Sequence, residues 1–368
     1  MSQRATYLFA GGGTGGHLFP GMAVAEELLA RNTDAQILFV GSEREIEREI
    51  VAKAGYEHRT MDVEPSTEFR RHPLRFLWRT WQAVRTAKAF LADLKPRAVI
   101  GLGGFASVPI VQAAYSKRVP VVLLEQNIVA GRATRWLARR ANKLCLSFDE
   151  TVGIQSKRAS VVVTGNPVRR AITRISRDSS QTNPTTPTLL VLGGSQGSEA
   201  VNQGMLDCAA TLQTVLEDWQ IIHQTGPRQL DDVRATYARL GLNARVYSFM
   251  SDLVDAYSDA SLVVSRAGAT TLAELACVGI PAILIPYPQA IGDHQVLNAR
   301  AFEAAGAAII VEQNPDTTLT GANLSHVFED LLNRTSRLEQ MGVAMQTLAT
   351  PEAAGRIVDA IEEVSHER

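Results

Sequence analysis

Ala10-Gly-Gly-Gly-Thr-Gly-Gly-His-Leu-Phe-Pro20 follows the apolar run Tyr7-Leu8-Phe9 and leads into the helical pattern MAVAEELLA of residues 22–30. Strand, glycine loop and helix in that order form a phosphate-binding turn. Five of the eleven residues are glycine, and a backbone without Cβ can adopt φ > 0 and bring its N–H groups close to an oxyanion. The helix adds its positive end. Pro20 near the first helical turn supports the boundary, because the N–H it lacks would have no partner there. One titratable side chain, His17, stands between loop and helix.

The spacing Gly11-x-Gly13-x-x-Gly16 also fits a dinucleotide fingerprint, which by itself is weak. An NAD fold should place an acid at the end of its second strand to hold the ribose hydroxyls. Here residues 35–40 (AQILFV) end in Gly41-Ser42, and Glu43 comes three residues late. The second half then repeats the opening theme: TLLVL at 188–192, GGSQGS at 193–198, and a helix starting at 199. Two such units predict two Rossmann-like domains, whereas a dehydrogenase normally needs one.

A chain of 368 residues is consistent with two domains at roughly 150 residues each. A net charge of −1 argues against general nucleic-acid binding. Cys145, Cys208 and Cys277 are scattered, with no CxxC pair, and read as reduced residues of a cytoplasmic protein. No signal peptide pattern and no apolar run of about 18 residues is present, so neither secretion by a signal peptide nor membrane spanning is expected.

Short apolar runs alternate with helical patterns along the first half, which predicts a parallel sheet covered on both faces. Ligands of such sheets bind beyond the carboxyl ends of the strands. Three loops leave those ends and should converge: the opening loop, GLGGF at 101–105, and Glu125-Gln126-Asn127. The polar, proline-containing stretch 178–187 reads as the linker or a loop beside it. In the second half, strands are expected at 219–223, 244–247, 262–264, 283–285 and 308–311. SRAGATTLAEL at 265–275 opens a helix with Glu274 about one turn in. That carboxylate suits a ribose diol, and equally a capping or surface role.

Residues 69–88, FRRHPLRFLWRTWQAVRTAK, hold six Arg or Lys and no acid, interleaved with Leu74, Phe76, Leu77, Trp78 and Trp81. Two readings stay open. One is a helix lying on an anionic membrane surface; the other is an ordinary helix whose apolar stripe, with Trp78 and Trp81, faces the sheet.

GGTGGHLFPGMAVAEEL, GLGGFASVP, LLEQNIVAGRATRWLARRA, GNPVR, LGGSQGS, SRAGATTLAEL and DHQ followed by NA, in this order, resemble the MurG family of bacterial N-acetylglucosaminyltransferases over almost the whole chain. The resemblance implies an α/β GT-B fold: two Rossmann-like parallel-sheet domains facing across a cleft. It implies an acceptor domain at 1–165, a UDP-sugar domain at 166–347, and a C-terminal helix in 348–368 that returns to the first domain. The implied reaction is inverting transfer from UDP-N-acetylglucosamine to O4 of undecaprenyl-pyrophosphate-linked N-acetylmuramyl pentapeptide, at the cytoplasmic face of the inner membrane. By the same resemblance Thr14, Gly15, Gly16 and Asn127 lie near the diphosphate and the transferred sugar, and Arg169 and Ser195 meet the donor diphosphate. Arg266, Ala269, Thr270, Glu274 and Gln295 form the UDP pocket, with Glu274 on the ribose and Met250 on the uracil side. Two departures stand out. His294-Gln295 replaces a glutamine pair of several relatives, and EPSTEFRRH at 64–72 lacks the glycine of the family's basic loop.

Transfer must stabilise a departing diphosphate and deprotonate a hydroxyl. No two aspartates have Asp-x-Asp spacing, so helix N-termini, loop amides and Arg169 are the expected substitutes, with no cofactor and no obligatory protein-bound metal. His17 is the expected base, since a helix N-terminus disfavours imidazolium. A purely structural His17 is the competing reading. The other functions weighed are a diacylglycerol glycosyltransferase, a UDP-N-acetylglucosamine 2-epimerase, an NAD-dependent oxidoreductase and a non-catalytic sugar-nucleotide protein.

Overall fold

The computed structural model describes residues 4–13, 15–63, 71–156, 158–175, 186–194, 196–332 and 335–366. Thr14, Ser195, residues 64–70 and the linker up to residue 185 lie outside them. The chain divides into two compact units, 1–169 with 350–368, and 170–349.

The first unit is built on seven parallel strands: β1 Thr6–Gly11, β2 Gln36–Gly41, β3 Glu57–Thr60, β4 Ala98–Gly103, β5 Val121–Glu125, β6 Lys143–Leu146 and β7 Ser160–Val163. Their order is β3-β2-β1-β4-β5-β6-β7, so the direction of winding reverses between β1 and β4. The central strands are buried along their length, which is why they read as unbroken apolar runs. Two strands escape the sequence reading. β3 is the polar, largely exposed edge EHRT, composed as an edge strand should be to discourage further pairing. β6 is only four residues long and follows Arg139-Arg140.

The first helix spans Gly15–Arg31, with Pro20 inside it. It therefore starts earlier than Pro20 suggests, and His17 lies on its first turn rather than between loop and helix. Pro20 costs one intrahelical bond, to the carbonyl of Gly16. The last helix, Ala353–His366, belongs to this same unit. It buries Ala354, Ile357, Val358, Ile361 and Val364, a stripe of helical period. Arg31 fastens it by donating to Asp359 at 2.6 Å and to the Gly355 carbonyl at 3.1 Å, and Lys143 pairs with Glu363.

Helix Pro73–Leu94 resolves the question raised by its aromatic residues. Phe76, Ala83, Ala87 and Leu91 are buried and form its core stripe. Leu74, Leu77, Trp78 and Trp81, spaced i, i+3, i+4, i+7, face outward at 56–82% exposure. The alternative in which Trp78 and Trp81 face the sheet is thereby overturned: the core stripe is built from smaller residues on another face.

The second unit holds six parallel strands: β8 Thr188–Leu192, β9 Gln220–Gln224, β10 Ala244–Tyr247, β11 Ala260–Ser265, β12 Ala282–Leu284 and β13 Ala308–Ile310. The order β10-β9-β8-β11-β12-β13 repeats that of the first sheet, with the reversal between β8 and β11. Cys145 and Cys208 are buried in the two cores, and burial pushes both thiols up to about 12.

His223 on β9 is fully buried. Asn202 donates its amide N–H to Thr225 O at 2.9 Å and to Gln229 Oε1 at 2.7 Å, so its oxygen faces His223 Nε2 at 3.1 Å. Nε2–H therefore donates to Asn202, and Nδ1 accepts from the Tyr237 hydroxyl at 2.9 Å. Burial draws the pKa of this neutral imidazole down to about 3. The unfolded chain binds this proton below about 6.5, and the folded chain only near 3, so the unfolded state carries more protons in between. Stability attributable to His223 is full above about 6.5 and falls as pH drops, by up to ~1.4 kcal/mol per pH unit. Urea unfolding of the second unit between pH 7.5 and 5 should show this slope, and His223→Gln should flatten it by about 1 kcal/mol per unit below pH 6.

Candidate active site

In an open parallel sheet the place where winding reverses leaves a crevice at the strand carboxyl ends. The first unit puts its glycine loop, the β4 loop and the β5 loop around that point. His17 on the first helical turn extends over Gly103 and Gly104, which have φ of +97° and +70°. A Cβ on Gly103 would lie 3.2 Å from Nδ1 and Cε1 of His17, so glycine here serves both the turn and the ring. Nδ1 is 3.3 Å from Oε1 of Gln126, and the Gln126 amide N–H donates to the Leu102 carbonyl at 3.3 Å. Glu125 is buried and folds the next loop, accepting from Gly131 N at 2.9 Å and from Asn127 N at 3.2 Å.

The acid that the dinucleotide pattern demands after strand two is present, but as Glu47 on helix Glu45–Lys53. Its side chain is fully buried and turned onto the loops. Oε1 accepts from Gly13 N at 2.5 Å and from Ser42 Oγ at 2.5 Å, and Oε2 accepts from Ser42 N at 2.9 Å. A Cβ on Gly12 or Gly41 would overlap this carboxylate. Glu47 thus fastens the glycine loop to the end of β2. The sequence offers little to single it out, because Glu43, Glu45, Glu47 and Glu49 alternate along SEREIEREI. Arg44 adds a second tie, donating to the Gly13 carbonyl at 2.7 Å. Gly15 and Gly16 lie on the first turn beside these loops. Arg169 belongs to this unit and stacks over Phe19, 4.5 Å from the ring centroid.

The second unit assembles the other group of sequence-identified residues at its own reversal point. Helix Glu199–Thr211 starts after the second glycine loop with Ser198 as N-cap. Arg266, just beyond β11, donates to Ser198 Oγ at 2.6 Å and to the Ile285 carbonyl at 2.9 Å. Burial draws its pKa down to about 10, still a cation at neutral pH. Ala269, Thr270 and Glu274 are buried on helix Ala269–Val278, and Tyr257 donates to Glu274 Oε2 at 2.8 Å. Gln224 donates to the Gly194 carbonyl at 3.1 Å and accepts from Met250 N at 2.8 Å. Gln295 Oε1 accepts from Tyr287 N at 3.0 Å. A cation, a helix N-terminus and a buried carboxylate within one sheet end can receive a phosphate and a diol together. Tyr257, Gln224 and Glu47 are missed by the sequence reading, and Gln126 enters it only as a member of the converging loop 125–127, since contacts across many residues leave no local pattern.

Comparison with known proteins agrees across both units. The model of the glycosyltransferase family 28 N-terminal domain matches residues 7–146, and that of the family 28 C-terminal domain matches residues 188–357. A relative from Syntrophotalea carbinolica is 40% identical over 358 residues, 95% of this chain and 96% of its own. It is named UDP-N-acetylglucosamine–N-acetylmuramyl-(pentapeptide) pyrophosphoryl-undecaprenol N-acetylglucosamine transferase. The crystal structure of MurG from Acinetobacter baumannii is 30% identical and superposes with a TM-score of 0.73, covering 98% of this chain and 99% of that one. A putative UDP-N-acetylglucosamine 2-epimerase from Listeria monocytogenes, 14% identical with a TM-score of 0.69 over 100% of this chain and 98% of its own, shares the fold.

Glu47→Ala should leave Gly13 and Ser42 donors without their acceptor and cost about 2–4 kcal/mol in urea unfolding. Glu47→Gln should recover part of that loss, and amide exchange at Gly13 should accelerate in both variants.

Proposed function

The chain belongs to glycosyltransferase family 28, and on that premise we propose that it transfers N-acetylglucosamine from UDP-N-acetylglucosamine, with inversion, to O4 of the muramyl sugar of undecaprenyl-pyrophosphoryl-N-acetylmuramyl pentapeptide. The observation that carries this reading is the full-length identity with transferases of that name. In it the second unit holds the donor. Glu274, kept in place by Tyr257, takes the ribose hydroxyls; Met250 borders the uracil; Ser195, Arg266, Ala269, Thr270 and Gln295 surround the nucleotide. Thr14, Gly15, Gly16, Asn127 and Arg169 serve the diphosphate and the sugar being moved. As the C1–O bond to the β-phosphate breaks, its electron pair leaves with UDP, and loop N–H groups and cationic side chains stabilise the developing charge. The acceptor O4 bonds to C1 and its proton passes to His17.

An oxidoreductase fares worse, because Glu47 is turned inward on the glycine loop rather than outward to a ribose. An epimerase shares the fold but needs no acceptor.

Among the described residues no helix is long and apolar enough to cross a membrane. The outward stripe of Leu74, Leu77, Trp78 and Trp81, on a helix bearing Arg75, Arg79, Arg85 and Lys88, supports peripheral docking on an anionic surface, where a polyprenyl-linked acceptor resides. Such docking would place the enzyme at the cytoplasmic face of the inner membrane.

Labelled UDP-N-acetylglucosamine should yield labelled lipid product only when the polyprenyl-pyrophosphate muramyl acceptor is present. Turnover of the sugar nucleotide without acceptor would overturn the assignment. His17→Ala should lower transfer by at least ~10²-fold and leave UDP binding intact. The pair Trp78→Ser and Trp81→Ser should cut sedimentation with phosphatidylglycerol vesicles about tenfold or more, with turnover of a short-chain soluble acceptor unchanged.

A further inference from the structure

We infer that Gln126 is a positioning residue that fixes the tautomer and orientation of His17, delivering Nε2 as its proton-accepting atom. The inference rests on the base role proposed for His17 and adds to it which nitrogen acts and what aims it. Three observations converge on it. The Leu102 carbonyl can only accept, so the Gln126 nitrogen that meets it at 3.3 Å must be the amide NH2. The oxygen of the same amide then faces His17 at 3.3 Å. An amide oxygen can only accept, so Nδ1 of His17 carries the hydrogen and Nε2 carries the lone pair. Gln126 is itself 3% exposed, and a buried amide held at both ends cannot flip without orphaning one partner.

The base and orienter relation resembles that of serine hydrolase triads, with one chemical difference. A carboxylate behind Nδ1 would stabilise imidazolium and raise the affinity of the ring for its proton. A neutral amide aligns the ring with far less of that effect, and a helix N-terminus itself disfavours the cation. Four charged groups on neighbouring elements have partners of their own. Glu47 receives Gly13 and Ser42, and Glu125 receives Gly131 and Asn127. Arg44 donates to the Gly13 carbonyl and Arg169 stacks over Phe19. A Cβ on Gly103 would lie 3.2 Å from Nδ1 and Cε1 of the ring, so glycine at this position leaves the imidazole its room. In the transfer step the O4 proton moves to Nε2, the O4–C1 bond forms and UDP departs with the C1–O electron pair. Nδ1–H remains on Gln126 throughout.

The test pairs a spectroscopic measurement with a pH profile. In full-length protein labelled with 15N-histidine, the resonances lost in His17→Ala identify His17; a pyrrole-like Nδ1 and pyridine-like Nε2 are expected at pH 8, and the opposite tautomer overturns the inference. Gln126→Glu, which preserves size, should raise the acidic limb of kcat/KM by about one pH unit or more. Gln126→Leu should lower kcat about 10–100-fold with unchanged UDP affinity, and with a mixed tautomer signal. An unchanged limb in Gln126→Glu together with unchanged kcat in Gln126→Leu would refute the positioning role while an inactive His17→Ala leaves the base role standing. Near-normal turnover in His17→Ala would instead remove the base role, and the 15N pattern would still decide the tautomer.

Discussion

A parallel sheet brings the carboxyl ends of all its strands to one rim, and winding that reverses direction opens that rim at a single place. Both units of this chain obey that constraint with the same strand order, with His17 near the opening of the first and Arg266 near that of the second. The rest of the architecture serves to hold backbone donors still there. In the first unit a buried carboxylate draws in two loops at once; in the second, Gln224 and Arg266 link loop, helix start and strand end. The two solutions differ because the first loop is packed against an acid, and the second against an amide and a guanidinium.

The repeated strand, glycine loop and helix is visible in the residues themselves, because glycine and apolar runs are local signals. The same holds for β8 and β10, whose bounds the apolar runs mark correctly. What escapes is of two kinds. β3 and β6 are short, and β3 is polar because it is an edge, so neither carries the periodicity that betrays a buried strand. The start of the first helix is obscured by Gly15 and Gly16, poor helix formers that nevertheless adopt helical geometry there.

Site residues divide along the same line. His17, Arg266 and Glu274 stand in conspicuous loops or helix starts and can be picked from the chain. Glu47 hides in a run of alternating glutamates, and its importance comes from which way it turns. Tyr257 and Gln126 matter through partners 17 and 109 residues away, a separation that only the folded chain closes. The basic aromatic helix is the intermediate case: its composition announces two faces, and only packing decides which one is turned inward.

The last helix closes the first unit rather than the second, and this shapes how the chain must be made. A ribosome releases the first 169 residues long before Ala353–His366 exists, so the nascent unit has the apolar surface of Gly15–Arg31 uncovered, Arg31 without Asp359 and Lys143 without Glu363. The second unit, continuous in sequence, can reach its final core while the first still waits. Completion of the amino-terminal unit therefore follows that of the second unit, and a product truncated before Ala353 leaves exposed the seam where the helix belongs.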